Sequence, residues 1–310
     1  IALIRKRNTT MIDTIVTTAG EFSSSQIGAI SLLLMLYPDA EVLRVDPQEW
    51  ASLDLINTAA VGLGGIVDPM KFRFDYTIPG WRLKQTKPNA PIGGAGLVWR
   101  QIGPELLKGM GMTTEELNSD LLEFVMNHVN IHLISSLDVY EVDGVHSLGS
   151  LARLIDVANT SLYSPALNST PEAFYTACSF TGTAIMLTCL DSIAYARARN
   201  YIGERIDKCT REVLVLDQRV DWSKAVANGF PTVQYVVAPT APGQWEISAA
   251  RDFCNKPKYY FPDAWAGLSI AELKTRLELE AVFAVTRSNI VVGSKTDALT
   301  VAAAATSTYS

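Results

Sequence analysis

The sequence predicts an α/β protein in which a parallel-sheet domain is joined by a long helix to a smaller α+β domain. Short β-branched runs alternate with apolar helical stretches in the N-terminal part, and this order is typical of a parallel sheet. A helical pattern then covers residues 171–211, and short strands follow it. We therefore divide the chain into a domain over 11–168, a helical segment over 169–210 and a domain over 211–305, with tails at 1–10 and 306–310.

Each N-terminal element has a local justification. Residues 12–16 are a β-branched run that predicts a buried strand, and the serines at 23–25 offer N-caps for an apolar helix through residue 36. Thr113 and Glu116 have the spacing of a capping box, which predicts the start of a helix that reaches residue 137. Further strands are predicted at 41–45 and 58–61, an extended edge at 72–76, and a second helix from the glycine-rich stretch 93–96.

The C-terminal part has the pattern of a small sheet. Residues 213–216 predict a strand, and the runs 233–238 and 244–248 flank a turn that contains Pro242 and Gly243, which is typical of a hairpin. Two more strands are predicted at 281–285 and 290–292, and a helix from residue 295.

Composition excludes several classes of function. The chain has 310 residues and is 48% apolar, and 26 basic against 32 acidic side chains leave a net charge of -6. An acidic chain has no general attraction for a phosphate backbone, so we do not expect nucleic acid as a partner. The 4 cysteines form no C-x-x-C pair, which excludes zinc-knuckle and thioredoxin-type sites. The longest apolar run, residues 30–37, is too short to span a bilayer, so no transmembrane segment is expected.

The residues alone indicate no active site and no cofactor. His128 and His132 are four positions apart on a predicted helix, a spacing that can present two imidazoles to one metal. However, the H-E-x-x-H glutamate is missing, so two ordinary helix histidines are the favoured interpretation. The glycine-rich stretches at 62–65 and 93–96 match neither a dinucleotide-binding nor a P-loop pattern.

Several motifs in order resemble one family over almost the whole chain. The stretch Gly96-Leu97-Val98-Trp99 is similar to an A-G-L-V-W helix, and residues 243–247 and 261–268 resemble a G-Q-W-R-I hairpin and an L-P-E-x-W-R-G-L loop. These motifs are those of the MYG1 family (UPF0160), a branch of the DHH phosphoesterase superfamily. The resemblance implies a DHH-type N-terminal domain, manganese-dependent cleavage of phosphodiesters such as RNA, and a mitochondrial location.

The metal-binding motifs of that family are altered in this chain. The resemblance implies that five of six ligand positions are replaced, namely Thr18, Ser23, Ser25, Gly62 and Tyr76, and Thr77 stands in place of a further histidine. Asp75 and Asp138 are the remnants of these motifs that could still ligate a metal. Hydroxyl groups and glycine cannot hold the charge of two divalent ions, so we expect no bound metal and no cofactor.

We therefore expect a catalytically inactive protein that serves as a structural or accessory subunit of a larger, mitochondrial complex. Its partners are then other protein subunits, and the acidic charge favours a respiratory-chain complex or ATP synthase over a ribosome. Arg5, Lys6 and Arg7 are compatible with the cut end of an organelle presequence. One alternative is a divergent metal-dependent phosphodiesterase or RNA exonuclease. Another is a non-cleaving nucleotide- or RNA-binding module, for which the candidate binding residues are Gly293, Lys295 and Thr296.

Overall fold

The computed structural model separates the chain into two compact units, residues 1–193 and 194–310. It describes residues 11–19, 22–53, 55–78, 92–138, 171–206, 212–252 and 254–307. The predicted domain borders, between 168 and 169 and between 210 and 211, lie outside the described residues. The division between the units falls inside the long helix, which therefore contributes residues to both.

The N-terminal unit contains a five-stranded, mostly parallel sheet. Its strands are β1 (Thr14–Thr18), β2 (Glu41–Val45), β3 (Thr58–Val61), β4 (Val67–Asp68) and β5 (Arg73–Phe74). The strand order is β2-β1-β3-β5-β4, and every neighbouring pair is parallel except β4 with β5. The predicted α/β class with a parallel sheet is confirmed, as are the bounds of β2 and β3.

The predicted bounds of the first strand were wrong by two residues. The β-branched run begins at Ile12, but pairing begins at Thr14, which lies opposite Glu41 of β2 and Thr58 of β3. At the other end, Thr17 and Thr18 extend the ladder with β2. The neighbouring strands therefore define the paired length of β1. A run of β-branched residues predicts a strand but does not show at which residue pairing with β2 and β3 begins.

Four helices of the N-terminal unit are α1 (Ser24–Leu36), α2 (Gly94–Gly109), α3 (Thr114–Leu117) and α4 (Asp120–Val129). Three of these four begin at a polar N-cap, and α2 begins at a glycine. Ser23 and Gln26 form the capping box of α1, and Thr113 and Glu116 form that of α3. Both predicted starts are confirmed.

The prediction of one continuous helix up to residue 137 was wrong. Helix α3 ends at Leu117 because the Ser119 side chain forms hydrogen bonds with the backbone on both sides. Its hydroxyl donates to the Glu116 carbonyl at the end of α3 and accepts from the Leu121 N–H, which caps the start of α4. After α4 a π-helical turn, Asn130–Ile134, leads into a last helical stretch at 135–138. A π turn widens the helix by one residue, and such turns are often found near functional sites.

The long helix α5 (Pro171–Ile206) confirms the predicted helical connection. An 18-residue window of α5 has a mean hydropathy of 1.4 and is 33% buried, so by length and composition alone this helix could cross a membrane. Core helices pass the same test. Helix α5 contains no long uninterrupted apolar run, because threonine, serine and glycine separate its apolar residues without adding charge, and the expectation of no transmembrane segment remains a prediction.

The described residues of the C-terminal unit include a five-stranded mixed sheet and, besides the end of α5, three helices. The strands are β6 (Val213–Val215), β7 (Tyr235–Ala241), β8 (Gln244–Ala249), β9 (Val282–Val285) and β10 (Asn289–Val292), in the order β6-β7-β8-β10-β9. The helices are α6 (Ser223–Gly229), α7 (Ile270–Arg276) and α8 (Lys295–Thr306). The predicted hairpin is confirmed as β7–β8, with Gly243 in its turn at a φ of +71°.

Helices α1 and α2 pack closely because a glycine lies at their contact. A Cβ added at Gly28 would come within 2.8 Å of Leu137 Cδ1 and 2.9 Å of Ala95 Cβ. These distances are shorter than van der Waals contact, so any side chain at this position must displace a neighbour. The close contact holds the start of α2 against α1, and this placement matters for the candidate site described below.

We expect Gly28→Ala to lower the free energy of unfolding by about 1–2 kcal/mol, since overpacking outweighs the gain in helix propensity. The matched control is Gly203→Ala in α5, where an added Cβ has nothing within 4 Å. That substitution should raise the stability by about 0.5–1 kcal/mol. Urea denaturation followed by circular dichroism measures both values. Equal stabilisation by the two substitutions would show that α1 and α2 are not closely packed at Gly28.

Candidate functional site

The candidate site lies where the parallel strands of the N-terminal sheet end. Thr18 is the last residue of β1, Gly62 follows β3 directly, and Asp75 follows β5 directly. The carboxyl ends of parallel strands meet at one edge of a sheet, and open α/β proteins bind their ligands at this edge. Three positions singled out from the sequence are therefore placed at the edge where such proteins have their sites.

Neutral hydrogen bonds connect the start of α1 to this edge. The Gln26 side-chain amide donates to the hydroxyls of Thr17 and Thr18, the latter at 3.1 Å. The Ser23 hydroxyl accepts from the Gln26 N–H as the N-cap of α1, and its oxygen lies 3.3 Å from the Tyr76 hydroxyl. Thr18, Ser23 and Tyr76 therefore have protein partners, and none of them brings a negative charge.

The ring of Tyr76 occupies the space between β3 and α2. A Cβ at Gly94, the first residue of α2, would lie 2.6 Å from Tyr76 Cε1. A Cβ at Gly62 would lie 3.7 Å from the same ring, and Gly62 has a φ of +69°, which strains other residues. The two glycines leave room for the ring of Tyr76, and a smaller side chain at position 76 would leave a gap there.

Asp75 is buried, and protein groups satisfy both of its carboxylate oxygens. One oxygen accepts from the Gly65 N–H at 2.7 Å. The other accepts from the N–H of Thr77 at 2.9 Å and from its hydroxyl at 2.6 Å. These bonds hold the turn after β5, so Asp75 has a structural partner for each oxygen.

Asp138 has no exposed surface and links two helix starts. Its Oδ1 accepts from the Ser25 hydroxyl at 2.8 Å, and its Oδ2 accepts from the Gly96 N–H at 3.0 Å. The same Ser25 oxygen accepts from the Ala95 N–H at 3.3 Å. A Cβ at Gly93, the N-cap of α2, would lie 2.5 Å from Ser25 Oγ and 2.7 Å from Asp138 Oδ1. The carboxylate thus takes the place of an anion at a helix N-terminus.

Burial raises the pKa of Asp138 from 3.8 to about 6, although Ser25 and the backbone N–H groups at the start of α2 oppose the shift. The buried carboxyl group is therefore harder to ionise than an exposed aspartate. In many enzymes a buried carboxyl with a raised pKa is a general acid or base. Here its partners are the Ser25 hydroxyl and the backbone of α2.

The two helix histidines lie apart from the edge of the sheet. His128 Nδ1 is 2.9 Å from the Ser192 hydroxyl, and the rings of His128 and His132 are 4.2 Å apart between centroids. Among the described residues, no group of three or more His, Cys, Asp or Glu side chains could hold a metal ion. The interpretation as ordinary helix histidines remains a prediction.

The candidate binding residues of the C-terminal unit are engaged in local contacts. Lys295 Nζ lies 2.9 Å from Asp217 Oδ1 and 5.3 Å from the centre of the Trp245 ring. This lysine lowers the pKa of Asp217. Gly293 is needed for packing, because a Cβ there would meet Ala281 Cβ at 2.9 Å, and the Thr296 carbonyl accepts from Thr300 in α8. Lys295 is thus already paired with a carboxylate.

Sequence reasoning missed two members of the network at the edge. Thr17 is fully buried, and its hydroxyl donates to the Val61 carbonyl as well as accepting from Gln26. The sequence carried one usable signal for Gln26, which lies three residues after the N-cap serine, as in a capping box. No such signal existed for Thr17, because its partners belong to other elements.

Comparison with known proteins identifies one family. A family model, the MYG1 exonuclease model described as Uncharacterised protein family (UPF0160), matches residues 14–307. No curated protein matches the chain. Among solved structures, the chain is similar to one titled pGpG-specific phosphodiesterase PggH, from Vibrio cholerae, at 12% identity and a TM-score of 0.29. That likeness covers 94% of this chain and 96% of the other.

The raised pKa of Asp138 predicts a specific pH dependence. Between the unfolded value of 3.8 and the folded value of about 6, the folded protein binds more protons than the unfolded chain, so Asp138 contributes less stability as pH rises through this window. Asp138→Asn keeps a similar shape but does not titrate. As pH rises through the window, the free energy of unfolding of the variant should therefore increase relative to that of the parent protein by up to about 3 kcal/mol. Urea denaturation at several pH values measures this difference, and a difference that does not change with pH contradicts the prediction.

Proposed function

Because the chain belongs to the MYG1 exonuclease family (UPF0160), we propose that it is a catalytically inactive member that serves as a structural or accessory subunit of a larger protein assembly. One observation carries the first half of this proposal. At the edge of the sheet, the residues in the five replaced ligand positions carry no charge, and Thr18, Ser23, Ser25 and Tyr76 form hydrogen bonds within the protein. The scaffold is retained while the charged groups that cleavage requires are replaced.

The residues present do not fit a pair of divalent cations. Two-metal phosphodiester cleavage requires carboxylate and imidazole ligands that together offset the charge of the ions. Thr18, Ser23 and Tyr76 offer hydroxyls, and Gly62 offers no side chain. The remaining carboxylates, Asp75 and Asp138, already accept hydrogen bonds on both oxygens. A metal would have to break these bonds and would still lack most of its ligands.

Exposed apolar side chains on α5 support the proposed role as a subunit of a larger assembly. Phe180, Leu187 and Leu190 are 55%, 58% and 43% exposed, and residues 173–190 include no charged side chain. The three residues, together with Thr183, follow the three-and-four spacing of one helix face. Apolar surface of this kind is typical of a protein that packs against another subunit.

The proposal extends to the compartment and the kind of assembly. The family resemblance favours a mitochondrial location, and the net charge of -6 favours a respiratory-chain complex or ATP synthase over an RNA-rich particle such as a ribosome. Its partners are then protein subunits and not nucleic acid. The alternative of a nucleotide-binding module has less support, because the Lys295 ammonium group is paired with Asp217.

We expect the purified protein neither to bind Mn²⁺ nor to cleave a short fluorescent RNA or a dinucleotide in the presence of Mn²⁺. Calorimetric titration and a cleavage assay measure these two properties. A variant with the family's ligands restored serves as the matched control and should regain Mn²⁺ binding. Its substitutions are Thr18→His, Ser23→His, Ser25→Asp, Gly62→Asp, Tyr76→His and Thr77→His. Mn²⁺-dependent cleavage by the parent protein that Asp138→Ala abolishes would overturn the proposal of inactivity.

We expect the protein to migrate with a large mitochondrial assembly at a fixed stoichiometry. Native gel electrophoresis with quantitative mass spectrometry measures this ratio. Leu187→Glu should release the protein from the assembly, because it places a charge on the apolar face of α5, and should change its own stability by less than about 0.5 kcal/mol. Asn200→Glu, on an exposed position of the same helix, is the control and should remain bound. Recovery of the parent protein only as a free monomer would refute the subunit role.

A further inference from the structure

A cavity of about 400 Å³ opens in the C-terminal unit, lined by residues 261–262 and 265–269, by Glu272 of α7, and by residues 285–287 and 290 of the β9–β10 hairpin. Cavities of roughly 300–1,000 Å³ bind small molecules in proteins. The larger apolar side chains that line it are Phe261, Trp265, Leu268, Val285 and Ile290. The cavity belongs to a different unit from the edge described above and shares no residue with it.

The aromatic part of the lining is held in place by ring stacking. The rings of Phe261 and Trp265 are 5.8 Å apart between centroids, with an interplanar angle of 24°. Tyr235 supports Phe261 from the other side at 5.3 Å, and its hydroxyl donates to the Tyr260 carbonyl. Stacked and buried rings lose little freedom when a ligand binds, so they form a preorganised surface for an apolar group.

Three of the four polar residues around the cavity are occupied by hydrogen bonds within the chain. The Ser269 N–H and hydroxyl both donate to the Glu272 carboxylate at 2.7 Å, which lowers the pKa of Glu272. Glu272 is exposed to water, which screens its charge. The Thr286 hydroxyl donates to the Asn289 carbonyl and accepts from the Asn289 N–H. These groups maintain the helix cap and the hairpin turn.

Arg287, the fourth polar residue, is the group available to a ligand. Its guanidinium lies over the Tyr260 ring, 5.1 Å from the centroid, and its Nη2 is 3.7 Å from Asp263 Oδ1. This separation is longer than a hydrogen bond, and the two side chains are 71% and 94% exposed. Exposed ion pairs of this kind contribute little energy, so a ligand anion can replace Asp263 at low cost.

From these contacts we propose that the cavity binds a small carboxylic acid with an aromatic or aliphatic body. The apolar body lies against Phe261 and Trp265, and the carboxylate pairs with the Arg287 guanidinium, whose planar fork matches the two carboxylate oxygens. The proposal goes beyond the subunit role and does not depend on it, because it rests on another unit and on other residues.

The test uses hydrocinnamate, a phenyl ring on a short carboxylic acid, titrated into the full chain. Nuclear magnetic resonance follows the indole N–H signal of Trp265, which is assigned by its loss in Trp265→Phe. We expect a saturable shift, and about two- to fivefold weaker binding in Arg287→Gln, since an exposed charge pair contributes roughly 0.5–1 kcal/mol. Lys258→Gln removes the same charge away from the cavity and should leave the affinity unchanged.

Two further comparisons make the result decisive. Hydrocinnamamide, the neutral amide of the same shape, should bind about two- to fivefold more weakly than the acid because it cannot form the charge pair. Ala266→Phe places a ring at an exposed lining position and should abolish binding while the chain remains folded by circular dichroism. Equal binding of acid and amide, unchanged affinity in Arg287→Gln or Ala266→Phe, or no shift of the Trp265 signal at any hydrocinnamate concentration would overturn the proposal.

Discussion

The buried carboxyl group of Asp138 is the constraint on which the candidate site depends. A carboxylate with no exposed surface must receive hydrogen bonds, since an unpaired buried charge costs several kcal/mol. Its donors are the Ser25 hydroxyl in the first turn of α1 and the Gly96 N–H in the first turn of α2. One carboxyl group therefore holds two helix starts beside the end of the helical stretch at 135–138. The absence of a side chain at Gly93 allows this approach, because a Cβ there would collide with Asp138 and Ser25.

The rest of the edge follows from the same requirement for internal partners. A site built for two cations gathers several carboxylates, which repel each other until the metal arrives. Hydroxyl and amide groups have no such repulsion, and Gln26, Thr18 and Ser23 satisfy one another without any ion. The ring of Tyr76 occupies the space between Gly62 and Gly94. The edge is thus complete with protein groups alone, which is the physical basis of the proposed loss of catalysis.

The parts of the fold that local chemistry controls could be predicted from the sequence. The caps of α1 and α3 depend on residues within a few positions of each other, and the structure confirms them, as it confirms the bounds of β2 and β3. The prediction of one continuous helix up to residue 137 was wrong because Ser119 caps a new helix and does not continue the preceding one. Apolar periodicity does not distinguish a capping serine from a serine inside a helix. Uninterrupted apolar runs likewise do not reveal the hydropathy of α5, because small polar residues interrupt an otherwise apolar stretch.

For the candidate site, the family resemblance predicts that Thr18, Ser25 and Gly62 stand in ligand positions, because it aligns them by their neighbours along the chain. It did not reveal what those residues do. Ser25 and Asp138 are 113 positions apart, and Ser23 and Tyr76 are 53 apart, so folding alone brings them into contact. The pKa of Asp138 rises because the packed helices remove water from it. The sequence determines the residue types, but the desolvation of a group depends on what packs around it. For that reason only the tertiary structure could decide the pKa of Asp138.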